Sequence, residues 1–144
     1  MSSLLNPYIM FKGNAREAME FYKTVFGGKL TMQTYKDFHA SQNPKDDDKI
    51  MHAQLDGDAG LTLMGADETD ERQNPASAEY QRSSTISLAL SGDSQSELSA
   101  CFQKLSAGGA VTQPLEKSPW GDTFGMCTDK YGIEWMVNIT GPKA

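Results

Sequence analysis

No run of about 18 apolar residues occurs anywhere in this 144-residue chain, so no helix able to cross a bilayer is expected, and no membrane partner. The opening MSSLLNPYIMF lacks both a basic start and a long apolar stretch, and is not expected to be a signal peptide. Cysteine is scarce. The two present, Cys101 and Cys127, fall in apolar patterns and read as reduced core residues of a cytoplasmic protein. Positive charge is also short, with 13 Lys and Arg against 19 Asp and Glu and a net charge of −6. A nucleic-acid partner needs a basic face for its phosphates, so none is expected. The acids gather in DFHASQNPKDDDK and ADETDERQ, which read as solvated loops, with His39 exposed in the first.

What is present is a repeat. GNAREAMEFYKTVFGG at 13–28 returns as GDSQSELSACFQKLSAGG at 92–109, and aligning the closing glycines sets Phe21 on Phe102 and Lys23 on Lys104. Ala15, Ala18, Met19, Tyr22, Val25 and Phe26 recur at helical spacing, as do Leu98, Cys101, Phe102 and Leu105. Asn14 and Asp93 are the expected N-caps, and Gly27 and Gly108 the expected stops. A β-prone run precedes each helix, PYIMF at 7–11 and TISLAL at 85–90. Three strands are expected to follow each: KLTMQTY, MHAQL and LTLM in the first copy; AVTQPLEK, FGMCT and IEWMVNI in the second. The last two of each set flank the turns DGDAG and DKYG. From Gly65 to Ser84 no periodicity remains. The chain therefore reads as an α+β protein of two βαβββ modules, 1–68 and 85–144, joined by a linker at 69–84 within one domain. Modules this small are marginal alone and should lean on each other.

Those blocks carry a resemblance. The two modules together look like the vicinal oxygen chelate superfamily of glyoxalases, extradiol dioxygenases and bleomycin-resistance proteins. The opening PYxxFxGNxxEAxxFYxxxFGG, the MHAxL strand and the TDKYGxxWMxN ending resemble its PhnB-like branch, whose family name carries 3-demethylubiquinone methyltransferase. The resemblance implies two sheets forming a curved cup with helices outside, and a homodimer. In chelating members, one inward position on each of four strands supplies a metal ligand, and the matching positions here are Pro7, Met64, Thr85 and Met136. None is a competent donor, so no cofactor is expected. Zinc, nickel or iron belongs only to an alternative reading.

Strand alternation nominates the side chains lining the cup. Met51, Ala53, Leu55, Ile86, Leu88, Leu90, Ile133, Trp135, Val137 and Ile139 are expected under the helices. His52, Gln54, Thr62, Met64, Thr85, Ser87, Ala89, Glu134, Met136 and Asn138 face the other way. Trp120, Phe124 and Tyr35 are candidate aromatic lining for a flat ligand, or else core. His52 is the sharpest candidate, as general base oriented by Glu134 or as a binding residue. The functional readings are a metal-free binder of a small organic molecule, a glyoxalase- or dioxygenase-like enzyme using His52 and Glu134, or an interaction module with a filled cup. A methyltransferase of the common type needs a glycine-rich turn opening a helix, whereas both glycine pairs here close one.

Overall fold

A computed structural model of the chain describes residues 5–39, 44–69 and 86–141. The chain divides into two compact units, residues 1–80 and 81–144. In the first, β1 (Tyr8–Phe11), α1 (Ala15–Phe26), β2 (Lys29–Thr34), β3 (Ile50–Asp56) and β4 (Thr62–Asp67) form a four-stranded sheet in the order β1-β4-β3-β2. In the second, β5 (Leu88–Gly92), α2 (Gln95–Ser106), β6 (Ala110–Lys117), β7 (Thr123–Thr128) and β8 (Glu134–Ile139) repeat that plan as β5-β8-β7-β6. In each, the first strand pairs in parallel with the last and the other pairs are antiparallel. Two mixed sheets, each carrying one helix, make the α+β fold expected of a βαβββ repeat.

The apolar stripe of α1 explains its seat. Ala15, Ala18, Met19 and Tyr22 are fully buried, and Ile9, Phe11, Ala53, Leu55 and Leu63 are the buried apolar residues of the sheet in the first unit. The approach is close at Gly65, where an added Cβ would stand 3.0 Å from the Phe11 ring and 3.3 Å from the Met19 sulfur. The second core is thinner. Only Phe102 and Leu105 of α2 are buried, over Cys127, Trp135, Val137 and Ile139. Tyr22 and Val25 thus match Phe102 and Leu105, one residue out of step with the glycine alignment. The cause is Ala107, which separates the last turn of α2 from Gly108, whereas Gly27 follows Phe26 directly.

Several expectations need correction. Asn14 makes no side-chain cap; Asp67 takes that role from β4, its Oδ1 accepting the N–H groups of Gly13 at 3.0 Å and Ala15 at 2.9 Å. At α2 the cap is Ser94, one residue past Asp93, and its Oγ accepts the Glu97 N–H at 3.3 Å. Strand β4 continues through Asp67, so Gly65 is not where regular structure ends. Strand β5 begins at Leu88, later than expected, and Ile86 is 75% exposed rather than packed under α2. In β3 the register slips between Gln33 and Thr34, which pair with His52 and Ile50. Met51 falls in that bulge and is only half-buried, while Ile50 takes the core position. Tyr35 is core, 6% exposed, with its hydroxyl donating to the Asp67 carbonyl at 3.0 Å.

Candidate functional site

Residues directly opposite in a ladder point to the same side of a sheet, so the register defines the face away from each helix. In the first unit Tyr8 stands opposite Met64, Met64 opposite Gln54, and Asp56 opposite Thr62. On the far side of β3, Gln54 faces Thr31 and His52 faces Gln33. The expected His52, Gln54, Thr62 and Met64 therefore share one face, and all four are half-buried. Their neighbours organise them. Gln54 Nε2 donates to the Asp56 carboxylate at 3.1 and 3.2 Å, and Thr62 Oγ1 lies 3.3 Å from the same group. The Tyr8 hydroxyl lies 3.4 Å from His52 Nδ1, with the two rings 5.8 Å apart and tilted by 39°.

The buried carboxylate of Asp67 decides where β3 begins. Its Oδ2 accepts the Ile50 N–H at 2.9 Å while Oδ1 holds the start of α1. Helix α1, β4 and the bulge that turns His52 to the open face are thus tied to one side chain. Nothing local in the sequence marks Asp67 for this, because its partners lie 17 to 54 residues away. Tyr8 was findable. With Ile9 and Phe11 buried, alternation along β1 sends Tyr8 to the face of His52.

In the second unit Phe124 stands opposite Asn138, Met126 opposite Met136, and Ala89 beside Met136. Ser87 joins them through its hydroxyl, which donates to Glu134 Oε2 at 3.2 Å. Asn138 Nδ2 donates to Asp122 Oδ2 at 3.3 Å. Trp120 is 74% exposed in the turn between β6 and β7. Thr85 lies outside the described residues. His52 and Glu134 belong to different units, and the partner described for each is local: Tyr8 for one, Ser87 for the other. Asp129 mirrors Asp67 as a buried organiser. Its Oδ1 accepts the N–H groups of Tyr131 at 2.8 Å and Ile133 at 3.0 Å, and its Oδ2 the Trp135 indole N–H at 2.8 Å.

Neither cysteine is suited to nucleophilic work. Burial raises the Cys127 pKa to about 11, helped by the nearby Asp129 charge, and burial also raises that of Cys101. Among the described residues no three His, Cys, Asp or Glu side chains converge to hold a metal ion. The positions that the resemblance implies for metal ligands hold, among the described residues, Pro7, Met64 and Met136. A proline ring and two thioethers are poor donors for zinc or iron(II).

The sequence model of the Glyoxalase/Bleomycin resistance protein/Dioxygenase superfamily matches residues 4–137. The chain belongs to that superfamily. A crystal structure of protein PA1353 from Pseudomonas aeruginosa is 37% identical, with a TM-score of 0.76 over 96% of this chain and 98% of that one. A Bacillus cereus PhnB protein, which carries the name of a 3-demethylubiquinone-9 3-methyltransferase, is 26% identical with a TM-score of 0.74 over 96% of this chain and all of its own. Protein YjdN of Escherichia coli K12 is 28% identical over 94% of each chain. A PhnB-like neighbour thus stands beside this member of the superfamily. The glycine pair Gly27–Gly28 follows the last turn of α1, and Gly108–Gly109 follows that of α2 after Ala107.

Proposed function

We propose that this superfamily member binds a small organic molecule against the open face of its first sheet, with His52 and Gln54 as its main polar contacts and without a bound metal. The observation that carries the reading is the polar row His52, Gln54 and Thr62, held half-buried in strands on the face opposite α1. Polar groups placed there cost about 1–3 kcal/mol each if they lack partners. Gln54 and Thr62 are bonded to Asp56 and His52 to Tyr8, which keeps the row ordered and leaves further donor and acceptor capacity for a ligand. The second unit, by itself, carries Phe124, Met126 and Met136 on the sheet face it shares with Asn138, a soft apolar surface. We infer further that the protein acts in the cytoplasm and as a homodimer.

The reading is tested by a crystal structure after soaking in a metabolite mixture with chelator present. Density against His52 and Gln54 supports it. Density that appears only with an added divalent ion coordinated by protein side chains contradicts it, and turnover of the captured molecule moves the protein to the alternative of a glyoxalase- or dioxygenase-like enzyme.

A further inference from the structure

We propose that Tyr8 is a positioning residue that holds neutral His52 in the tautomer with its proton on Nε2, so that this face offers a ligand a hydrogen-bond donor rather than a base. The inference rests on the reading of His52 as a ligand-binding residue and says what kind of ligand that residue accepts. Tyr8 reaches His52 across the sheet: it pairs with Met64, Met64 pairs with Gln54, and His52 follows on the same side of β3. The phenol oxygen is 3.4 Å from Nδ1, and the two ring centroids stand 5.8 Å apart with a tilt of 39°. A phenol is a better donor than acceptor, because its lone pair is shared with the ring, whereas an unprotonated imidazole nitrogen is a strong acceptor. The bond therefore runs from the Tyr8 O–H to Nδ1, and the imidazole proton goes to Nε2, since the bond at one ring nitrogen sets the state of the other. Among the described residues, no partner reaches Nε2.

The rest of the row completes the specification. Both carboxylate oxygens of Asp56 draw the Gln54 amide nitrogen, which leaves the Gln54 carbonyl oxygen as the atom for a ligand. Strand β3 then presents a donor at position 52 and an acceptor at position 54, beside a negative charge. The matching ligand is neutral or cationic and carries an acceptor and a donor on one edge, as a carboxamide or a hydroxy ketone does. An anionic edge meets Asp56. A reaction in which His52 takes a proton directly from a substrate is disfavoured, because its outward nitrogen already carries one.

Long-range proton–nitrogen correlation spectra of the full, 15N-labelled chain test this without any ligand. The chain has two histidines, and exposed His39 serves as internal reference, assigned with a His39→Gln variant. Spectra are taken at about pH 8.5 for every variant. The expected result is a His52 ring protonated on Nε2 with a wider separation of its two nitrogen shifts than His39. In Tyr8→Phe, which keeps the ring contact and loses the hydroxyl, and in Tyr8→Leu, that separation should collapse to the His39 value. A proton on Nδ1 in the wild-type chain overturns the proposal, and so does a separation unchanged in Tyr8→Phe. Either result leaves the small-molecule reading standing, since that reading fails on the soaked crystal and not on the spectrum.

Discussion

Replacing Asp67 by Asn changes one atom of a 2%-exposed side chain, yet it strikes the point where three elements meet. In the native chain both carboxylate oxygens accept: Oδ1 takes the N–H groups of Gly13 and Ala15, and Oδ2 that of Ile50. An Asn keeps one acceptor and turns an NH2 group toward an N–H that also donates. If the oxygen stays on the helix side, the buried Ile50 N–H loses its partner; if it turns, the start of α1 does. Bonds to a charged group contribute about 1.5–3 kcal/mol each, and stranding a buried donor costs about 1–3 kcal/mol. These overlap, since one event causes both, and removing the negative charge also weakens the favourable field at the helix N-terminus. The expected destabilisation is about 2–4 kcal/mol. With a urea slope of about 2 kcal/mol per molar, the unfolding midpoint should fall by about 1–2 M at unchanged slope. Asp56→Asn is the control, because that carboxylate is exposed and should cost no more than about 0.5 kcal/mol. Equal midpoints for Asp67→Asn and Asp56→Asn would refute the reasoning and remove Asp67 as the residue that sets β3.

With its pKa near 11, the Cys127 thiol should carry about one thiolate in a thousand at pH 8, so a thiol reagent should label it only on unfolding. Because the folded pKa lies above the unfolded value of 9.0, this group's share of stability is present below that value and is lost as pH rises toward 11. Of the two tryptophans, exposed Trp120 should be quenched by acrylamide, and Trp120→Phe should leave a blue-shifted, protected emission from Trp135. Sedimentation at micromolar concentration should give the dimer mass; a monomer across the whole range contradicts that inference. Zinc, nickel and iron(II) should leave the melting temperature unchanged, whereas a true ligand at 100 times its dissociation constant would add about 2.7 kcal/mol.

Much of this architecture was legible because the helices and the strand runs are written locally. The spacing Ala15, Ala18, Met19, Tyr22, Val25 stays apolar on one side through three turns, and KLTMQT and AVTQPLEK sit directly after a glycine pair. What escaped was written across the chain. Alternation carried through β3 assumes an unbroken period of two, and the bulge at Met51 breaks it, which is why Ile50 and not Met51 is core. The α1 cap escaped because a local reading looks at Asn14, whereas the acceptor arrives from β4. At β5 the β-prone residues Thr85 and Ile86 outweighed the ladder, which opens only where Leu88 meets Trp135. The candidate face was legible at His52, Gln54, Thr62 and Met64, since all four lie beyond the bulge or in a regular strand. Tyr8 was passed over because PYIMF reads as a uniform apolar run, although its own alternation separates Tyr8 from Ile9 and Phe11.

The central claim, a small organic molecule bound at His52 without metal, is tested most directly by calorimetric titration. The molecule captured in the soaked crystal would be titrated into wild-type protein and a His52→Ala variant, both in chelator. His52→Ala should weaken binding at least tenfold, a loss of about 1.4 kcal/mol, with melting temperature and dimer mass unchanged. Equal affinity in the two proteins, or binding that returns only with a divalent ion, would contradict it.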